Sequence, residues 1–371
     1  MTVFSSVQKP TLLIDEKKAR KNLALINDKI LSQGVEFRPH FKTHQSAEIG
    51  EWFREIGIKK ITVSSIDMAQ YFAEFGWDDI FIAFPANILQ LEEIVKLSRK
   101  VYLSLLFEDS NTVTFIDRHL SNQVSGWIKI NTGADRCGLK ANQFEEILIT
   151  AKEIENSKKI KMKGLITHAG HTYRYKTIEE ITAVYDQSVK ILFEIRNQLN
   201  QHGFSNLEIS VGDTPSSRLV EDFKNVDELR PGNFLFYDIQ QFQAGVCRLE
   251  EIAVALVCPV VAVHRAENEL VLYGGAIHLS KDTHTWGAIQ NAYGLVTLPT
   301  KNGSGWEDQQ ILGYLRSLSQ EHGVAVFPEG IPEEIRPGSL VCVFPAHSCL
   351  TVQAMGKFVN LDGKTIHTML A

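Results

Sequence analysis

The amino-acid sequence predicts an α/β fold, a (β/α)8 barrel of the TIM type followed by a second, β-rich domain. Between residue 35 and about residue 238, short β-rich runs alternate with helical stretches, which is typical of a parallel α/β sheet. The runs number about eight, the strand inventory of a (β/α)8 barrel. From about residue 248, β-rich runs are separated by turns with almost no long helix between them. We expect the barrel in residues 10–245 and the β-rich domain in residues 246–371, joined by residues 1–9.

The first predicted helix follows a short β-rich run, TLLI, that the barrel does not need. Asp15 is the expected N-cap, and Leu23, Ile26 and Ile30 then lie on one helical face. Gly34 follows as the stop signal at the carboxyl end. The element is therefore predicted as an amphipathic helix that leads into the first barrel strand.

The first barrel strand is predicted in VEFRPHFK, where apolar and polar residues alternate and so point to opposite faces. The later strands are predicted at ITVSSI, IFIAF, VYLSLLF, WIKIN, IKMKGLI, LEISV and LRPGNFLFY. The clearest intervening helix begins with a capping box from Thr177 to Glu180 and ends at Gly203. An open Rossmann-type sheet is the competing architecture, but no strand is followed by its GxGxxG fingerprint.

Composition excludes several classes of function. The chain has 371 residues, 44% hydrophobic and 22% charged, which suits two ordinary globular domains. Its net charge of -6 and the lack of basic clusters argue against a nucleic-acid partner. The N-terminus lacks a signal pattern and no apolar run is long enough for a membrane helix, so we expect a cytoplasmic protein without a membrane partner. Five scattered cysteines are a poor disulfide framework.

In a (β/α)8 barrel the active site lies at the carboxyl ends of the strands, so the polar residues there are the candidates. The first strand ends at Lys42, between His40 and His44. A lone lysine is usually a surface charge. However, a desolvated amine beside other cations has a lowered pKa and forms imines with carbonyl compounds. Lys42 is therefore predicted to be catalytic and to bind a carbonyl cofactor.

Two further strand ends carry groups that suit such a site. The fifth strand leads to Arg136, whose guanidinium fits a cofactor phenolate or a substrate carboxylate, although it could instead form a loop salt bridge. The sixth ends in a loop that contains His168, His171 and Tyr173. A histidine at a strand end is equally often a hydrogen-bonded core residue. We assign Arg136, His168 and Tyr173 to catalysis, and the first two also to cofactor binding.

The last two strands end in loops rich in small and hydroxyl residues. The seventh is followed by GDTPSS, which includes Thr214, and the eighth by a segment with Arg230, Gly232 and Asn233. Barrels often bind phosphate with these two loops, whose backbone N–H groups can face an anion. Either loop alone could be a tight turn. Together with Lys42 they indicate a phosphorylated carbonyl cofactor.

The β-rich domain contains the segment VCVFPAHSCL. If this segment is extended, His347 and Cys349 lie on one face and can bind one metal ion together. A His-x-Cys pair is more often packing than ligation. Two protein ligands would leave coordination positions open, which is typical of a catalytic metal site, and the thiolate and imidazole suit zinc.

These segments together resemble the fold-type III pyridoxal phosphate (PLP) enzymes, the alanine-racemase-like barrels. Within them they resemble the branch of D-serine dehydratase, D-threo-3-hydroxyaspartate dehydratase and D-threonine aldolase. RPHFKTH is similar to the motif whose lysine binds PLP, and KINTGADRCGL to the segment whose arginine lies near its phenolic oxygen. GDTPS and RPGNFLFYD, which includes Tyr237, resemble phosphate-binding and barrel-closing segments that bind the cofactor. PAHSC resembles the metal site.

The resemblance implies a lyase that uses PLP and Zn²⁺ or Mn²⁺ and acts on a small D-3-hydroxy amino acid, as a homodimer. The His-x-Cys pair favours a dehydratase, which gives an oxo acid and ammonia. D-threonine aldolase is the second candidate, because its pattern is closer to His-x-Asp. An amino-acid racemase is more distant, since the second-domain tyrosine base of alanine racemase is not identified in this sequence. A non-catalytic PLP-binding protein would lack residues 248–371, and a barrel without PLP is the remaining alternative.

Overall fold

The computed structural model describes residues 2–370, and the chain forms two compact units. The barrel unit consists of Leu25–Lys42 and Gly50–Gly232. The β-rich unit consists of the described residues up to Ala24, of Thr43–Ile49 and of the chain from Asn233 onward. The sequence predicted one boundary, between residues 245 and 246, whereas the barrel unit ends at Gly232. The β-rich unit also includes N-terminal residues and a short segment after Lys42.

The strands are β1 (Thr11–Ile14), β2 (Glu36–Phe37), β3 (Lys60–Val63), β4 (Asp79–Pro85), β5 (Tyr102–Phe107), β6 (Val124–Asn131), β7 (Leu139–Lys140), β8 (Ile160–Ile166), β9 (Glu208–Val211), β10 (Glu228–Leu229), β11 (Val254–His264), β12 (Glu269–Tyr273), β13 (His284–Trp286), β14 (Ile289–Ala292), β15 (Gly294–Thr297), β16 (Gly313–Leu318), β17 (His322–Val326), β18 (Leu340–Pro345), β19 (Lys357–Asn360) and β20 (Thr365–His367).

The helices are α1 (Glu16–Leu31), α2 (Ala47–Glu55), α3 (Ile66–Glu74), α4 (Leu91–Ser98), α5 (Ser110–Asp117), α6 (Phe144–Asn156), α7 (Ile178–Gln201), α8 (Thr214–Leu219), α9 (Ile239–Gln243) and α10 (Ser348–Met355). Short 3-10 helices cover Val3–Ser6, Phe41–Thr43, Ile88–Gln90, Gly170–Arg174, Asn233–Leu235 and Leu249–Glu251. None of these described helices is both long and apolar enough to cross a membrane.

Eight parallel strands form the barrel, in the order β2-β10-β9-β8-β6-β5-β4-β3, as predicted. An isolated parallel bridge between His40 and Thr62 connects the two ends of this sheet. Inside the barrel, the rings of Phe81 and Trp127 stack with centroids 5.4 Å apart and pack with Leu106 and Ile166. The barrel interior is therefore filled by side chains, and the strand ends are left to build a site.

The first and last barrel strands are shorter than predicted. The first ends at Phe37 rather than at Lys42, and the last ends at Leu229. Each run contains a proline, Pro39 or Pro231, which has no N–H to donate to a neighbouring strand. Their carbonyls still accept hydrogen bonds, from the N–H of Thr62 and of His40. The strict alternation of faces predicted for residues 35–42 is therefore wrong beyond the proline.

The β-rich unit is built on one nine-stranded sheet, in the order β12-β17-β16-β15-β18-β11-β1-β19-β20. Every pair in it is antiparallel except β1 with β19. The TLLI run is β1, and Leu13 lies opposite Ala255 of β11. The prediction of a second, β-rich domain is confirmed, and the N-terminal run that the barrel did not need is one of its central strands.

The predicted helix signals are confirmed at both helices that the sequence singled out. The Asp15 carboxylate accepts the N–H of Lys18 at 3.1 Å, which caps α1. At α7, the Thr177 hydroxyl oxygen accepts the N–H of Glu180 at 3.2 Å. Gly34 follows α1 with φ of +70°, a conformation that L side chains rarely adopt.

Candidate active site

Lys42 lies in the short 3-10 turn that follows the first barrel strand. The preceding Phe41 is fully buried, and its ring centroid lies 4.9 Å from those of Phe53 and Phe72 and 5.0 Å from that of Trp77. This aromatic contact fixes the turn in the barrel wall. Lys42 itself is half-buried, and its backbone N–H lies 3.4 Å from Nδ1 of His40.

The ionisable groups around Lys42 form a buried cationic cluster. Burial is the main cause of the lowered pKa of His40, and the charges of Lys42 and Arg230 add to it. Burial and then the charges of Lys42 and Lys129 likewise lower the pKa of His168. Burial, followed by the charge of Arg230, lowers the pKa of Lys129 to about 7. Cations held in a low dielectric stabilise a bound anion, so the cluster fits a ligand with a phosphate and a phenolate.

His168 has a defined tautomer. Its Nδ1 is hydrogen-bonded to the carbonyl oxygen of Gly212, which can only accept, so Nδ1 carries the proton. Since burial keeps the pKa of the ring low, Nε2 is left without a proton and can accept a hydrogen bond. His168 is thus a neutral acceptor within electrostatic reach of Lys42.

Arg136 lies in a folded loop after β6. The side-chain oxygen of Asn131 accepts the N–H groups of Gly133 and Asp135 at 3.0 and 3.2 Å. Gly138 closes the loop with φ of +110°, and a Cβ there would meet the backbone nitrogen of Asn131 at 2.7 Å. Arg136 is exposed, yet its charge contributes to the lowered pKa of His168. The loop therefore presents the guanidinium at the rim of the cationic cluster.

The first turn of α8, which follows β9, contains two buried hydroxyl groups that suit a phosphate. The Oγ1 of Thr214 and the Oγ of Ser216 have no hydrogen-bond partner among the described residues, and both side chains are 1% exposed. The backbone N–H of Thr214 lies 3.3 Å from the hydroxyl of Tyr173, which accepts it. A buried hydroxyl without a partner is costly, so these groups fit a ligand that supplies acceptors.

Three of the predicted cofactor residues lie beyond Arg230, after the last barrel strand. Gly232 is buried and ends the barrel unit. Asn233 lies in the β-rich unit, where its Nδ2 donates to Asp238 at 2.7 Å and its Oδ1 accepts from the Ser348 hydroxyl at 2.9 Å. Its side chain therefore already has partners there. Tyr237 is 1% exposed and has φ of +50°, an uncommon conformation for a bulky residue.

The two predicted metal ligands are close together, but they do not lie on one extended strand. β18 ends at Pro345, His347 is the extended N-cap of α10, and Cys349 lies in the first turn of that helix. A helix N-terminus favours the thiolate, the form of cysteine that binds metals. The two side chains are hydrogen-bonded to each other, which contributes to a raised pKa of His347. Among residues 2–370 no group of three such ligands occurs, so a metal here would rest on this pair.

Neighbouring groups orient this pair within the β-rich unit. Nδ1 of His347 lies 2.7 Å from Oδ2 of Asp282, which leaves Nε2 as the nitrogen for a metal. Burial opposes protonation of His347, but Cys349, Asp238 and Asp282 raise its pKa to about 10. The Sγ of Cys349 lies 3.4 Å from the hydroxyl of Thr43. A soft thiolate and an imidazole held by a carboxylate are a donor set that fits zinc.

Several residues of these sites gave no usable signal in the sequence. Asp282 lies 65 positions before His347, in a loop without a motif. Lys129 stands inside a segment already recognised as a strand, where its burial cannot be read from the pattern. Glu228 directly precedes the predicted strand LRPGNFLFY and is 2% exposed, although an acidic residue there suggests a solvent-facing position.

Residues 14–240 match the family described as alanine racemase, N-terminal domain, and residues 253–361 match a family named for a serine dehydratase domain. D-serine dehydratase of Dictyostelium discoideum is 25% identical over 391 residues, which cover 98% of this chain and 96% of that protein. D-threo-3-hydroxyaspartate dehydratase of Delftia sp. (strain HT23) is 26% identical over 353 residues, covering 92% and 91%. D-threonine aldolase of Arthrobacter sp. is 23% identical over 242 residues, covering 63% and 62%.

The solved structure of the Delftia dehydratase superposes with a TM-score of 0.90 at 25% identity, covering 99% of this chain and 98% of that one. A cysteine-to-alanine mutant of the same enzyme, described as the metal-free form, also gives a TM-score of 0.90, at 24% identity and 99% coverage of both chains. The likeness extends over both units of the chain.

Proposed function

We propose, on the basis that the chain belongs to the alanine racemase N-terminal-domain family, that it is a PLP-dependent lyase acting on D-3-hydroxy amino acids. The reaction that we favour is dehydration of D-serine or D-threo-3-hydroxyaspartate to an oxo acid and ammonia. The named relatives that cover almost the whole chain, from Dictyostelium and Delftia, are dehydratases of these two substrates.

The observation that carries the proposal is the buried cationic cluster around Lys42. A lysine that lies beside other cations in a low dielectric is suited to form an imine with an aldehyde. The unpartnered hydroxyl groups of Thr214 and Ser216 suit the phosphate, and Arg136 suits the phenolate. Lys42, Arg136, Thr214 and Arg230 are therefore the residues that we expect to hold the cofactor.

When bound, PLP supplies an electron sink for the carbon that loses its proton. The amine of Lys42 would be the base that takes the proton from Cα of the substrate. The neutral ring of His168 can accept a hydrogen bond at Nε2.

The pair of His347 and Cys349 supports dehydration over racemisation. A divalent metal held there would supply a Lewis acid for the 3-hydroxyl group that the substrate loses. Two protein ligands leave open positions for the substrate, as in catalytic sites. Asp282 holds the ring of His347, and Cys349 lies in the first turn of α10, a position that favours a thiolate.

The test is a product analysis of purified protein loaded with PLP and either zinc or manganese. D-serine, D-threo-3-hydroxyaspartate and D-threonine are offered separately, with L-serine as the stereochemical control. We expect pyruvate and ammonia from D-serine, or oxaloacetate and ammonia from the hydroxyaspartate. Lys42→Ala serves as the matched inactive control.

Other products would identify other reactions. Glycine and an aldehyde from D-threonine as the main products would assign the chain to the aldolase, which the Arthrobacter relative represents. Interconversion of enantiomers without loss of the hydroxyl would assign it to a racemase. Tight PLP binding without turnover of any of these amino acids would refute the proposal.

A further inference from the structure

The barrel interior contains a buried chain of hydrogen bonds that the proposed chemistry does not use directly. Arg38, Glu228 and Arg230 are 4%, 2% and 5% exposed. Nε of Arg38 donates to Oε2 of Glu228 at 2.5 Å, and its Nη1 donates to Asp79 at 2.7 Å. On the other side, Oε1 of Glu228 accepts the hydroxyl of Ser210 at 2.7 Å. The same hydroxyl oxygen accepts from Nε of Arg230 at 2.6 Å.

The chemistry of the four side chains determines which atom donates in each hydrogen bond of this series. A guanidinium only donates and an ionised carboxylate only accepts, so the single proton of the Ser210 hydroxyl must point to Glu228. The lone pair of Ser210 is then directed at Arg230. Burial disfavours the charge of Glu228, but the charge of Arg38 and the hydrogen bonds lower its pKa, so it remains ionised. Ser210 therefore has one orientation, and it restrains Arg230 in turn.

Arg230 has one end that the protein does not satisfy. Its Nη2 donates to the carbonyl of Thr167 at 2.6 Å, and its Nε donates to Ser210. Nη1 has no acceptor anywhere in the described part of the chain, although the side chain is almost wholly buried. A guanidinium N–H without a protein acceptor is available to a ligand. The charge of Arg230 also acts on His40 and Lys129, so Arg230 belongs to the cationic cluster.

We propose that Glu228 and Ser210 are positioning residues that hold Arg230 in one orientation, so that its remaining N–H donor serves the bound cofactor. The inference rests on the proposed PLP-dependent function. In this proposal neither Glu228 nor Ser210 contacts the bound cofactor, and both act through Arg230. If the ion pair of Arg38 and Glu228 served only to stabilise the barrel, it would not require the Ser210 hydroxyl. That hydroxyl donates to Glu228 and accepts from Arg230.

The deciding variant is Ser210→Ala, because it removes the hydroxyl that links Glu228 to Nε of Arg230 while every charge in the barrel interior remains. The dissociation constant of PLP is measured by titrating the apoprotein, together with the visible spectrum of the loaded protein as a function of pH. Losing one hydrogen bond of a charged donor predicts that PLP binding weakens about 10- to 100-fold. For the substrate that the wild type turns over, we expect kcat to fall about tenfold or more with KM little changed.

Two more variants are measured in the same way, Glu228→Gln as a second test and Glu208→Gln as a control. Glu228→Gln removes the charge that orients Ser210, so it should weaken PLP at least as much, with an added loss of stability. Glu208→Gln is the matched control. Glu208 lies on the same strand as Ser210, β9, but it pairs with Lys163 at a half-exposed position. It should leave PLP affinity and spectrum as in the wild type.

The outcomes separate this inference from the proposed function. If Ser210→Ala lowers only the urea midpoint of the apoprotein, with PLP affinity, spectrum and kcat unchanged, the network is structural and the inference is overturned. If the wild-type protein itself does not bind PLP, the proposed function fails, and the role of Arg230 toward a cofactor fails with it. Wild-type binding together with weakened binding and an altered spectrum in Ser210→Ala supports both.

Discussion

Replacing Asp213 with asparagine should stabilise the apoprotein at neutral pH and have a much smaller effect near pH 4. Asp213 is 3% exposed, and its Oδ1 accepts the N–H of Ser216 at 2.7 Å and the hydroxyl of Thr172 at 3.1 Å. Asparagine has the same shape and retains an acceptor for both bonds. The substitution therefore tests the cost of the buried charge rather than the loss of the cap.

The magnitude follows from the pKa of Asp213. Burial raises it from 3.8 to about 6, although the bonds from Ser216 and Thr172 and the charge of Arg230 oppose the change. Because the folded pKa lies above the unfolded one, the stability that this carboxyl contributes is complete below pH 3.8 and is lost as the pH rises through 6. At about 1.4 kcal/mol per pKa unit, the ionised side chain costs the folded state about 3 kcal/mol at pH 7.5.

Urea unfolding of the apoprotein, followed by tryptophan fluorescence at pH 4.5 and pH 7.5, measures the effect. Asp213→Asn should gain up to about 3 kcal/mol over the wild type at pH 7.5 and much less at pH 4.5. Asp109→Asn is the control, because the Asp109 carboxylate caps α5 from an exposed position and accepts the N–H of Thr112 at 2.8 Å. It should show no gain at neutral pH. A loss of stability in Asp213→Asn at pH 7.5 would refute the reasoning, since the charge itself would then be required.

Four further results are expected. Borohydride reduction of the PLP-loaded protein should attach the cofactor to the peptide that contains Lys42, as read by mass spectrometry, and labelling of another lysine would contradict the assignment. Thr214→Val should weaken PLP binding about tenfold without lowering the stability of the apoprotein, because it removes a buried hydroxyl that has no protein partner; unchanged PLP affinity would argue against a phosphate at this hydroxyl. Chelation, or Cys349→Ala, should abolish ammonia release while the visible absorbance of bound PLP persists, and full activity in metal-free protein would rule out a metal role. Asp282→Asn should weaken zinc binding about 10- to 100-fold in a competition assay with a chelator, since it removes the partner of Nδ1 of His347, and wild-type affinity would show that this contact is dispensable.

The local features of the fold could be predicted from the sequence because they depend on short-range patterns. The alternation of β-rich runs and helices identified all eight barrel strands, and the caps at Asp15 and Thr177 marked two helices. The motifs around Lys42 and in PAHSC selected the residues on which the proposed function depends. Each of these signals extends over a few residues, within the range that periodicity and capping describe.

Only the tertiary structure decided which distant residues meet and what that does to their charges. Leu13 of the TLLI run pairs with Ala255, Asp282 contacts His347, and Ser210 lies between Glu228 and Arg230. A local pattern carries no information about such contacts, because they depend on how the whole chain packs. Burial then determines the chemistry, since desolvation and neighbouring charges, which shift the pKa of a side chain by several units, exist only once the barrel has closed.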